Sequence, residues 1–272
     1  LELGGGSAYD NNVEITSNGV VYATLSSDGI DKGIWRSDDG QNWTNITDSL
    51  FPPVYGRIAI GINPSNEDEV YFLAAETDNY GQRTDIFFGG ETWTSLWKYN
   101  ADSNNWIDLS LNIPANQATS FDNFNAQRGY DLMVKVHPSN SNVVYIGGTN
   151  LWRSMDGFTS SNNTMIIGGY LVGSSEGDGN WGVYKNHHPD QHDLLFLPSN
   201  DSIMLSATDG GVYKSYNTFK DTVVWTSLNN GYYTTQLYAV TISRNANSDV
   251  MHGGFQDNGN FINFSANPTS HW

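Results

Sequence analysis

One pattern recurs along the chain, and it restricts the fold more than any other feature. An apolar run ends in a Pro-Ser-Asn turn, a second apolar run follows, and a third carries an aromatic residue, in most copies followed by Lys or Arg. The turn stands at Pro64-Ser65-Asn66, Pro138-Ser139-Asn140 and Pro198-Ser199-Asn200. It is preceded by RIAIGIN, DLMVKVH and HDLLFL and followed by VYFLAA, VVYIGG and IMLSA. The third run reads GIWRS at Trp35, SLWKY at Trp97, NLWRS at Trp152, GVYKS at Tyr213 and, less closely, GNFINF at Phe261, so the anchors lie 62, 55, 61 and 48 residues apart. After most copies a polar turn leads to another aromatic that opens a fourth run, at Trp43, Trp106 and Trp225, and Trp272 stands where the fifth copy wants it. Four short runs bounded by turn residues and repeated at this period are stacked supersecondary units. Antiparallel four-stranded units with aromatics between neighbouring sheets are propeller blades.

The expected fold class is therefore all-β, a β-propeller of about five blades in a single region covering 1–272, at roughly 13–50, 57–110, 131–172, 194–230 and 237–272. MIIGGYL is the candidate fourth strand of the third blade. A closed propeller latches its last blade to its first, and the pattern stops as the fifth blade begins its last strand. The chain is therefore expected to be part of a larger propeller, with further blades or domains of the same parent protein as partners. Two stretches exceed what a blade turn requires, 76–95 with Tyr80, Phe87, Phe88 and Trp93, and 159–186 with Tyr170, Trp181 and Tyr184. Long loops of this kind carry function or cover an edge.

Charge narrows the partners. Twelve basic against twenty-nine acidic side chains give a net charge of −17, a field that repels nucleic acid and anionic headgroups. No run approaches a membrane span of about 18 apolar residues, so no membrane insertion is expected. With no Cys, neither disulfide nor thiolate chemistry contributes. The first residue is Leu, with no basic segment and apolar stretch behind it, which reads as a processed or excised chain.

SDDGQNW (Ser37, Asp39, Gly40, Trp43) and SMDGF (Ser154, Asp156, Gly157, Phe158) resemble the Asp box, Ser-x-Asp-x-Gly-x-x-Trp, with Gly one position early in both. The resemblance is to the Asp-box (BNR) propellers, which include sialidases, sortilin-like receptors, xyloglucan-active glycosidases and secreted Bacteroidetes proteins. It is nearest to the last of these through HHPDQHDLLF, ATDGGVYKS and GGFQDNGN. It implies a secreted or cell-surface propeller and no particular activity. In such turns the Ser and Asp accept from backbone amides, Gly supplies positive φ and the aromatic packs between blades, so Ser37, Asp39, Gly40, Trp43, Ser154, Asp156 and Gly157 are expected to be structural.

Antiparallel alternation places the turn between strands two and three on the same face as the link between blades. That rim collects His187, His188, Asp190, His192 and Asp193 before the fourth blade, Asp209-Gly210 within it, and Gln256-Asp257-Asn258 within the fifth. Asp190, Asp209 and Asp257 are the trio from which a glycosidase could draw an acid and a base. Capping of local turns is the competing role for Asp209 and Asp257. His188, His192, Gln256, Asn258 and Trp181 are candidate ligand contacts. The metal assignment is open: no cofactor motif is present, but imidazoles and carboxylates in the His187–Asp193 loop suit a divalent cation, against the alternative that the histidines bond backbone carbonyls. A sialidase needs several convergent arginines, and the six of this chain show no such set. The expected function is binding of a glycan or protein partner through the rim loops, with glycoside hydrolysis by rim aspartates as the alternative.

Overall fold

In the computed structural model the described residues are 8–85, 91–115, 121, 123–173, 182–231, 236–245, 248, 250 and 251–265. They form a β-propeller of antiparallel blades, with two short 3-10 turns and no α-helix among them. The first sheet runs in chain order through β1 (Asn11–Ile15), β2 (Val21–Leu25), β3 (Gly33–Ser37) and β4 (Thr44–Asn45). The second contains β5 (Ile58–Ile62), β6 (Glu69–Ala75), β7 (Gln82–Asp85), β8 (Glu91–Asn100) and β9 (Asn105–Asp108). The third comprises β10 (Met133–His137), β11 (Asn140–Gly147), β12 (Leu151–Ser154) and β13 (Thr164–Gly168). The fourth comprises β14 (Gln191–Leu197), β15 (Asn200–Thr208), β16 (Gly211–Ser215) and β17 (Trp225–Ser227). The fifth shows β18 (Leu237–Ile242), β19 (Met251–Phe255) and β20 (Asn260–Asn263). Trp272 lies outside the described residues.

Successive side chains of a strand face opposite ways, and here each face meets a different neighbouring blade. In β6, Val70, Phe72 and Ala74 pack with Tyr22 and Ile34 of the first sheet. The intervening Tyr71, Leu73 and Ala75 pack with Val134, Val144 and Ile146 of the third. Across the next seam, Met133, Tyr145 and Leu151 meet Leu194, Met204, Tyr213 and Trp225 of the fourth. Blades clamped on both sides therefore read as continuous apolar runs and not as alternation. Two polar side chains inside these seams are bonded across them: Trp225 Nε1 donates to the Ile167 carbonyl at 2.7 Å, and the buried Arg153 guanidinium donates to the carbonyls of Thr218 and Lys220 at 2.6 and 2.9 Å.

The first strands line the axis: β1 lies beside β5, β5 beside β10, and β10 beside β14. Lys135 of β10 reaches Asp193 of β14 at 3.2 Å and Glu14 of β1 at 3.7 Å, tying three blades together near that axis.

The first of the two long stretches differs from the sequence reading, and the second holds the fourth strand expected at MIIGGYL. Within 76–95, β7 pairs with the front half of β8 (Gln82↔Thr94 to Asp85↔Glu91), while β9 pairs with its back half. Residues 91–95 are thus part of the third strand of the blade, prolonged into a hairpin, and not loop. Within 159–186, Thr164–Gly168 pairs with β12 as the fourth strand of its sheet, because Ile166 and Ile167 each find a seam to fill.

Candidate functional site

The rim where the first strands begin is built from three backbone segments. The link into the third blade turns sharply at Gln127 and Arg128, both at positive φ, and delivers Tyr130 and Asp131 just before β10. The link into the fourth blade bends at Asp190, φ 64°, and bonds to the neighbouring blade through Asp190 N–H to Thr149 O and Gln191 N–H to Gly148 O. The turn between β15 and β16 carries Asp209-Gly210, and Asp209 N–H donates to the Asp190 carbonyl at 3.2 Å. Gly210 is required by close approach: a Cβ there would lie 2.3 Å from the His188 ring.

These segments converge on a cluster of acids around one imidazole. His192 Nε2 lies 2.5 Å from Asp209 Oδ1 and 3.9 Å from Asp131 Oδ1. The Tyr130 hydroxyl donates to the Asp209 carboxylate at 3.3 Å, and its ring stands edge-on to His192 at 5.2 Å. Asp190 Oδ1 accepts from Gln127 Nε2 at 3.0 Å. Asp131 is fully buried, and neither of its carboxylate oxygens has a hydrogen-bond donor. The Asp190 carboxyl lies beside it, and the two can bond only through a shared proton or a cation. Burial drives the pKa values of both Asp131 and Asp190 upward, and the carboxylates of Asp209 and Asp257 push in the same direction. Among the described residues no lysine or arginine pairs with Asp131, Asp190 or Asp209.

The rim residues singled out from sequence fall in different places. Asp190 and Asp209 enter the cluster, and neither carboxylate is taken up by a turn amide. Asp257 is exposed, at φ 55°, and its backbone carbonyl sits 3.0 Å from His188 Nε2. The other His188 nitrogen faces the Pro189 carbonyl, so this imidazole links backbone groups of two blades. Asn258 Nδ2 donates to the Asp209 carbonyl at 3.4 Å, a second tie between the fourth and fifth blades. Gln256 donates its backbone N–H to Gln236 O. Trp181 lies outside the described residues.

The 187–193 segment does not act as one donor loop. His187 is buried against Trp225, 4.1 Å between ring centroids, and accepts from Gly169 N–H. His192 and Asp193 lie within β14 and not in a loop, and Asp193 turns to Lys135. His192 instead shares its space with Asp131 and Asp209, their donor atoms all within 4.8 Å of one another. Asp131 was missed by sequence reasoning, which took it only as the opening of DLMVKVH. The available signal was its place directly ahead of an innermost strand.

On the opposite face, the turns after β3 and β12 are bonded within themselves. Ser37 Oγ accepts from Gly40 N–H at 2.9 Å, and Asp39 Oδ1 accepts from the amides of Gln41 and Asn42. Ser154 Oγ accepts from Phe158 N–H at 2.9 Å, and the Asp156 carboxylate accepts from Ser160 Oγ and Asn163 Nδ2. Gly40 and Gly157 have φ of 71° and 67°. Trp43 is half-buried beside β4.

Two clefts open beside the acid cluster. One of about 510 Å³ is walled by Tyr170, Tyr184, His188, Asp190, Tyr213 and Asp257. Another of about 490 Å³ on the axial side is lined by Tyr9, Asp10, Arg57, Tyr130 and His192.

No protein-family model matches the sequence. No curated protein matches it either. Among solved structures, the fold is similar to a GH74 enzyme of Niastella koreensis, with TM-score 0.51 and 15% identity over 90% of this chain and 33% of that one. It is also similar to the GH74 xyloglucanase of Xanthomonas campestris, with TM-score 0.55 and 17% identity over 89% of this chain and 32% of that one. The chain thus spans about a third of the length of these enzymes. At such identities the likeness is one of fold.

Proposed function

We propose that this chain is the ligand-binding propeller of an exported or surface protein, and that it takes a glycan on the rim where the first strands begin. One observation carries the reading. Asp190 is left out of local turn capping and stands at the edge of an aromatic-walled cleft of about 510 Å³ with Tyr170, Tyr184 and Tyr213, while Asp209, likewise uncapped, stands in the acid cluster beside it. Sugar rings stack on aromatic faces while carboxylates and amides accept or donate to their hydroxyls, and a cleft of this size accommodates one or two residues of a chain. The surrounding negative charge favours a neutral glycan over an anionic one. No helix among the described residues is long and apolar enough to cross a membrane.

A screen of neutral oligosaccharides, followed by calorimetry, tests the reading. A ligand bound by the wild type should lose at least tenfold in affinity in Asp190→Asn and in Tyr184→Phe combined with Tyr170→Ala. Undiminished binding in both variants would reject the rim as the site.

Hydrolysis by rim aspartates is the second reading, favoured by the coexistence of a raised-pKa carboxyl at Asp190 and a hydrogen-bonded carboxylate at Asp209. Asp131, fully buried, has no path to a leaving oxygen. Release of reducing ends that disappears in both Asp190→Asn and Asp209→Asn would support hydrolysis. Retention of the rate in either would reject it.

Apolar side chains stand open on the outermost sheets, Val13 and Ile15 on the first and Tyr238, Val240 and Ile242 on the fifth. This supports a reading in which further blades of the same parent protein cover them.

A further inference from the structure

We propose that Asp131, His192 and Asp209 form a binding site for one first-row divalent metal ion of the zinc or manganese kind. Three observations converge. The donor atoms come from three separate segments, the link before β10, the start of β14 and the turn between β15 and β16, yet all lie within 4.8 Å of one another. Asp131 is fully buried with both oxygens lacking a donor, and Oδ1 is aimed at the same space as His192 Nε2, 3.9 Å away. No lysine or arginine among the described residues compensates the group, although Arg57 stands close by and spends its guanidinium on the carbonyls of Gly129 and Tyr130.

A buried anion without a partner is strongly unfavourable unless a proton or a cation neutralises it. A cation fits the donor set better than a proton alone, because it uses the imidazole as well as both carboxylates. Mixed nitrogen and oxygen donors select zinc or manganese over calcium or magnesium, which prefer all-oxygen shells. Ligand atoms about 2.1 Å from a metal stand roughly 3.0–3.5 Å apart. Asp131 and His192 are near that spacing, and His192 and Asp209 need to part only slightly. An outer layer is also in place: the Tyr130 hydroxyl on Asp209 orients a ligand carboxylate, as outer-layer partners do in metal sites. Entry is from the axial cleft of about 490 Å³, onto which His192 opens, and solvent or a ligand hydroxyl there would complete the coordination.

The test is isothermal calorimetry of chelator-treated, dialysed full chain with zinc and with manganese chloride, paired with thermal melts and with manganese electron paramagnetic resonance. One equivalent should bind and raise Tm, with calcium at least tenfold weaker. His192→Gln, at a part-exposed position, should lower zinc affinity at least tenfold. Asp131→Asn should do the same while leaving the metal-free protein as stable as the wild type or more so. Absence of saturable binding by both metals overturns the proposal, as does one-equivalent binding that survives in both variants. Glycan binding is read separately, with and without chelator, so the loss of either property does not decide the other.

Discussion

At the scale of single residues, the rim is organised by close approaches that leave little freedom. Gly210→Ala places a methyl group against the His188 ring, and a loss of about 1–3 kcal/mol in chemical denaturation is the expected outcome. His187 is a residue whose titration bears directly on stability. Burial beside Trp225 and Tyr213 lowers its pKa to about 3. The unfolded chain takes up that proton near pH 6.5, so the contribution is full above this pH and is lost as pH falls toward about 3. The slope from this one group approaches about 1.4 kcal/mol per pH unit within that window. Urea melts across it should show a shallower decline in His187→Gln, and an unchanged slope would contradict the assignment. Sequence made some of these residues legible and not others. Asp190 and Asp209 could be placed on the rim because turn positions follow from strand counting. Asp131 could not be recognised as buried and unpaired, since that depends on packing between links whose course sequence does not supply.

At the scale of elements, the strands were readable because each is a short apolar run closed by Pro-Ser-Asn or by Gly. Their seams were not, because opposite faces of one strand serve different neighbours. Tyr71 and Phe72 are adjacent in sequence and belong to different cores. The β7–β8 hairpin was hidden because 76–95 exceeds the length of a blade turn, although its threonines Thr84, Thr92 and Thr94 are buried. Seam aromatics should carry large energies. Trp225→Ala removes a ring buried against Tyr213 and His187 together with its bond to Ile167, and a loss of about 3–5 kcal/mol is expected in denaturant titration. Trp225→Phe keeps most of the packing and should lose about 1–2 kcal/mol. Ser154→Ala, which removes the acceptor for Phe158 N–H in a buried turn, should lose about 1 kcal/mol.

For the whole molecule, the period of the repeat was enough to reach a propeller, since stacked four-stranded sheets have few other ways to bury both faces. How the rim side chains meet one another depends instead on packing between blades. The two faces of the disc differ in kind: carboxylates of the turns after β3 and β12 are consumed by their own turns, whereas Asp190 and Asp209 of the opposite rim meet Gln127 and Tyr130 from the link into the third blade. That asymmetry is the basis for assigning ligand binding to one face. Hydrogen-exchange mass spectrometry with and without a bound oligosaccharide reads the two faces in one experiment. Slowed exchange should concentrate in segments 126–132, 184–192 and 208–212; slowing confined to 37–45 and 154–163 would place the ligand on the wrong face and contradict the account.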